Sequence, residues 1–331
     1  MNTLAVFLLL MAEAAAPFSI KRSERVELQS APGVLAAADL NGDGKADLIV
    51  ANPDEGTVAV LLGDGKGRFA PAKGSPFAAG KNPNDIAIAD INRDGKLDLA
   101  IANHEATFVT ILLGDGRGGF APSPKSPVTV KSFPHPHAVA LGDVNGDNKI
   151  ELIVDDWGRG NVTLLFGDGS GGFASPGTSI SVPPVPYENL RLADVNGDGK
   201  LDIVVPARMG MAGAAGPPAV REGMTVLLGD ARGGFSAAPG SPFKSGKAPT
   251  RVVVGDVNGD GIDDAVVLNL ASNNVTVLLG GRNGISLAPG SPFRAGSSPQ
   301  GAAIADVNGD GKREIIIANH DSRDVTILFA E

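Results

Sequence analysis

The sequence predicts an all-β fold, a six-bladed β-propeller of four-stranded blades closed by an N-terminal strand that pairs with the last blade. Three observations carry this reading. An acidic nine-residue loop recurs six times in 331 residues. Short apolar runs separated by turns surround each copy, at nearly constant spacing. Glycine (45) and proline (24) are abundant, which favours turns over helix.

The strands are read in order within a unit. In the second unit the runs Ile86 to Ala89, Leu97 to Ala102 and Phe108 to Leu113 are apolar and β-branched, and Gly, Asp and Asn turns bound them. The turn Gly114-Asp-Gly-Arg-Gly-Gly119 then leads into Phe120 and a proline-rich run. It fits G-x-G-x-x-G, but a strand follows instead of a helix, so it reads as a hairpin turn and not a dinucleotide site. Four short strands in a repeated unit of about 50 residues is the pattern of a propeller blade. From the first loop Asp to the Gly ending the third strand is 24 residues in units one, two, three and five, and 35 in unit four. The extra residues fall in Pro206 to Gly223, rich in Gly, Ala and Pro, and read as a surface-loop insertion.

The sixth unit, starting at Asp306, reaches a third strand at Val325 to Phe329 and supplies no fourth. Phe18 lies 21 residues before Asp39, the interval that separates Phe69 from Asp90. The segment Phe18 to Gln29 is therefore expected to complete the last blade and leave no unpaired edge. A seventh blade would need a unit that the sequence does not contain.

Within each loop, oxygen-bearing side chains stand at positions one, three, five and nine. The sets are Asp39, Asn41, Asp43 and Asp47; Asp90, Asn92, Asp94 and Asp98; Asp143, Asn145, Asp147 and Glu151; Asp194, Asn196, Asp198 and Asp202; Asp256, Asn258, Asp260 and Asp264; and Asp306, Asn308, Asp310 and Glu314. A backbone carbonyl joins them at position seven, from Lys45, Lys96, Lys149, Lys200, Ile262 and Lys312. This donor set is all oxygen on a tight loop, which suits Ca²⁺. Up to six ions are expected, one per loop. An EF-hand would need flanking helices and a twelfth-position Glu, and here β-type runs flank the loop. Position six is Gly except for Asn148, and position four is Gly except for Arg93, so the second loop is expected to differ in geometry or affinity.

The formal charge of −9 argues against a nucleic-acid partner. The ligand positions of the loops hold 18 of the 37 Asp and Glu, and six Ca²⁺ would bring the charge to +3. Cysteine is absent, which excludes thiol catalysis and disulfides. Residues 1–16 read as a secretory signal, with an apolar stretch from Leu4 to Met11 too short to span a bilayer and small residues at the cleavage site. Residues 17–331 form the propeller, expected as a monomer outside the cytoplasm: secreted, periplasmic or on the cell surface.

Asp-x-Asn-x-Asp-Gly-x-x-Asp followed by Leu-Leu-Gly-Asp-Gly-x-Gly-Gly-Phe resembles the FG-GAP/VCBS repeats of bacterial secreted proteins. These are similar to the calcium-loop blades of the integrin α-chain, although that propeller has seven blades. The resemblance covers about residues 18 to 331 and implies the propeller and its calcium. It implies little about activity, because a propeller hosts many functions.

In an up-and-down blade the loops after the second strand lie opposite the calcium loops. That face gathers His104, His135, His137 and His320, with the lone Trp157 and lone Tyr187, as a possible ligand face for a protein or glycan. The functional expectation is a calcium-binding, non-enzymatic binding or adhesion module. The alternative is a lectin or polysaccharide-processing enzyme on the same scaffold, whose acids would come from Asp155, Asp156 and Glu188.

Overall fold

A computed structural model describes residues 20–27, 34–66, 68–130, 132, 135–182, 189–208 and 222–330. Six antiparallel sheets form the blades. The inner strands are Leu35–Ala38, Pro83–Ala89, Val139–Gly142, Arg191–Ala193, Pro249–Gly255 and Pro299–Ala305. Each touches the inner strand of the blade before and after it, and Leu35–Ala38 touches Pro299–Ala305, so the ring closes at six. The described residues contain no α-helix; one 3₁₀ turn spans Trp157–Arg159. No helix among them is long and apolar enough to cross a membrane.

The closing blade has the expected composition. Ile20–Glu27 lies antiparallel to Asp324–Ala330, with Glu24 opposite Ile327 and Val26 opposite Val325. Phe18, Gln29 and the leader expected over residues 1–16 lie outside the described residues.

Why these runs fold as they do is visible in the second strands. Asp98–Asn103 is buried at every position, because a neighbouring blade covers each face of its sheet. Leu99 and Ile101 pack toward blade one with Ile49, Val58 and Val60. Ala100 and Ala102 pack toward blade three with Leu152 and Val154. Six such clusters, one between each pair of neighbouring blades, constitute the core. Both faces being dry accounts for near-continuous apolar runs where a half-exposed sheet would alternate.

Two details differ from the sequence reading. In blade four the ladder continues through Pro206 opposite Met224, Ala207 opposite Gly223 and Arg208 opposite Glu222. The insertion is thus narrower than Pro206 to Gly223, because its flanks extend the hairpin instead of leaving it; residues 209–221 lie outside the described set. The proline-rich fourth strand is also split. Phe69–Pro71 and Phe77–Ala78 both pair with Thr57–Gly63, and between them the Ser75 hydroxyl accepts the Val60 N–H at 2.9 Å. Ser126, Ser241 and Ser291 do the same for Ile111, Val226 and Val277. Each of these serines precedes a cis proline.

The inner strands enclose a central cavity of about 270 Å³, lined mainly by Ala, Val, Leu and Ile. Arg191 spans it to reach Asp85, with Nη2 to Oδ1 at 2.7 Å and Nη1 to Oδ2 at 2.8 Å. Arg251 donates to Asn84 Oδ1 at 3.1 Å. These contacts tie blades four and five to blade two across the ring.

Candidate metal centres

Backbone hydrogen bonds shape the acidic loops before any ion is considered. In the first, Asp39 accepts the amides of Gly42, Asp43 and Gly44 at 2.8, 3.1 and 2.7 Å. Asn41 Oδ1 accepts the Asp43 amide and Asp43 Oδ1 the Lys45 amide. The turn needs left-handed backbone at positions four and six, and Gly42 and Gly44 supply φ of 74° and 79°. Arg93 (63°) and Asn148 (62°) adopt the same conformation. The expected difference in the second loop's geometry is therefore absent from its backbone, because the surrounding Asx bonds hold Arg93 there: Asp94 still donates to Asp90 and Asn92, and Gly95 to Asp90.

The ninth position anchors the loop in the core. Asp47, Asp98, Glu151, Asp202, Asp264 and Glu314 are fully buried. Asp47 accepts the Leu40 amide at 3.0 Å and the Gly63 amide at 2.8 Å, so one carboxylate joins the loop to the third strand. Asp98, Asp202 and Asp264 repeat both bonds. Burial raises all six pKa values: Asp202 to about 6, Asp264 and Glu314 to about 7, and Asp47, Asp98 and Glu151 in the same direction. At the exposed fifth position the reverse holds. The Lys45 ammonium bonded to Asp43, and the Lys149 amide bonded to Asp147, lower those carboxyls.

The donor set fits a hard divalent ion. In the third loop Asp143, Asp147 and Glu151 each bring an oxygen within 4.8 Å of the others. Glu151 Oε1 is buried and makes no hydrogen bond in the chain, although the Gly167 amide is near enough to favour the ionised form. A buried acceptor that no hydrogen bond satisfies, on a carboxylate this close to Asp143 and Asp147, is one that a cation would satisfy.

The opposite face divides the other sequence candidates. His104, from the loop after Asp98–Asn103, meets His135 and His137, from the connection into blade three. Their ring centroids lie 4.0, 4.8 and 4.7 Å apart. Burial, then His104 and His137, lower the pKa of His135. His320 stands apart in blade six, 2.9 Å from Asp321. Trp157 opens the 3₁₀ turn after Glu151–Asp156. Tyr187 and Glu188 lie outside the described residues. Asp155 is buried and engaged by His137, while Asp156 pairs with Arg159 at 2.9 Å.

Sequence reasoning passed over Asp85 and Arg191. The available signal was a single charge inside an apolar inner strand, Asp85-Ile-Ala-Ile88 in one and Leu190-Arg-Leu192 in the other. Two clefts between blades also open on this face. One of about 1030 Å³ lies between Asp54, Glu55, Lys81 and Glu105, and one of about 480 Å³ between Asn273, Arg294 and Ser322.

The profile of a family described as FG-GAP-like repeat matches residues 39–101, 92–154, 156–205 and 256–317. No curated protein matches the chain. Among solved structures, that of an Agrocybe aegerita lectin recognising non-reducing terminal N-acetylglucosamine aligns over 91% of this chain and 78% of its own, at 19% identity and a TM-score of 0.46.

Proposed function

The chain belongs to the FG-GAP-like repeat family, and from that premise we propose that it is a secreted, calcium-stabilised propeller that binds a partner and performs no chemistry of its own. The observation that carries this is the six-fold repetition of one buried carboxylate at the base of one acidic loop. A buried acid with a raised pKa costs stability when ionised. Ca²⁺ offsets that cost, and it draws the exposed carboxylates of positions one and five onto the same centre. The ion's role is then structural: it pins the hairpin between the first and second strands of each blade. Extracellular calcium modules bind with Kd on the order of 10⁻⁴ to 10⁻³ M, which suits a calcium-rich exterior.

The binding role is assigned to the face opposite the loops, where the clefts at Glu105 and Arg294 open between blades. A non-enzymatic reading fits the outlying acids, because Asp155 and Asp156 already have partners. A glycan or a protein segment would suit clefts that set charged side chains such as Asp54, Lys81 and Arg294 beside apolar surface.

Calcium titration by calorimetry and melting in calcium against EDTA test the proposal. Several ions per chain and a lower melting temperature in EDTA are expected. An identical melting curve in both removes the structural role of calcium. Turnover of a polysaccharide by the purified chain removes the non-enzymatic part.

A further inference from the structure

We propose that His104, His135 and His137 form a second kind of metal site, one for a zinc-class divalent ion, on the face opposite the acidic loops. The three imidazoles converge from two separate segments, and one ring nitrogen from each lies within 4.8 Å of the others. Zinc bound at about 2.0–2.1 Å to three nitrogens holds them about 3.3 Å apart. Small rotations of His104 and His135, both half-buried, close the difference.

The second observation is the support behind the rings. His137 is 3% exposed, and its Nδ1 lies 3.1 Å from Asp155 Oδ2. Asp155 is in turn fixed by the amides of His137 at 2.7 Å and Ala138 at 2.8 Å. A carboxylate at Nδ1 holds the proton there and puts the lone pair on Nε2, which is how metal-ligating histidines are oriented. The backbone is tied as well. The His104 amide bonds the Asn82 carbonyl at 2.9 Å, the His137 carbonyl accepts from Asn84 at 3.0 Å, and the Ser132 hydroxyl lies 3.0 Å from the His135 carbonyl. Two of the three ligands are partly open to solvent, so an ion can enter and a fourth position is left for water or a partner's side chain.

Nitrogen ligands suit zinc, copper or nickel and are poor for calcium, whereas the acidic loops offer only oxygen. The chain would thus carry two metal chemistries on opposite faces, and one can be saturated while the other is titrated. The full-length protein in excess calcium is titrated with Zn²⁺ by calorimetry and with Co²⁺ by visible absorption. One ion per chain is expected, with the cobalt band of a low-coordinate nitrogen site. His135→Ala is expected to lose at least about tenfold in affinity, and Asp155→Asn to lose about 10- to 100-fold, the usual effect of removing such a support. The comparison with His135→Ala separates this site from zinc held by the loops, whether or not those loops take calcium. Absence of the cobalt band in the unaltered chain overturns the inference even where a variant fails to fold. So does equal zinc affinity in His104→Ala, His135→Ala and the unaltered chain.

Discussion

Individual residues decide how the loops respond to protons. In calcium-free protein, burial raises Asp202 to about 6 and Asp264 and Glu314 to about 7. The folded state then binds more protons than the unfolded one between the ordinary carboxylate range and these values. Their contribution to stability is full below that range and is lost as pH rises through about 6 to 7. Melting in EDTA across roughly pH 5 to 8 is expected to show this loss, with the gap between the calcium and EDTA curves widening toward the alkaline end. At position four, Arg93 holds a φ of 63° where Gly42 holds 74°. A non-glycine residue pays about 1–2 kcal/mol for that conformation, against about 0.5–1 kcal/mol of extra entropy lost by glycine. Arg93→Gly is therefore expected to raise stability by up to about 1 kcal/mol in denaturant unfolding, and a loss of stability would show that the arginine side chain matters more than its backbone.

Elements were legible where their signal is local. Asp47, Asp98 and their equivalents could be found because a nine-residue loop repeats, and the strands could be found because covered sheets need apolar runs. The split fourth strand was not legible, since it depends on a serine hydroxyl standing in for a ladder carbonyl 15 residues away, as Ser75 does for Val60. Ser75→Ala leaves that N–H without its acceptor, and a cost of about 1–3 kcal/mol is expected in equilibrium unfolding. An unchanged stability would mean that water replaces the hydroxyl. The clustering of His104 with His135 and His137 was legible only as a shared face. Contact depends on how far the two connections reach toward each other between blades two and three, which no spacing within either blade reveals.

Across the whole molecule the ring is held from the inside as well as around its rim. The Asp85–Arg191 pair joins residues 106 apart in sequence, and no local pattern could pair them. Asp85 is fully buried, and breaking a buried pair from one side costs about 3–5 kcal/mol. Arg191→Leu is expected to cost that much in denaturant unfolding, and Asp85→Asn in the same chain to recover part of it; additive losses would argue against direct coupling. Closure has a further consequence, because Ile20–Glu27 and Asp324–Ala330 share one sheet. A ribosome delivers the second of these about three hundred residues after the first. Until then the first strand has no partner, so the earlier blades can stack while the circle itself is joined last.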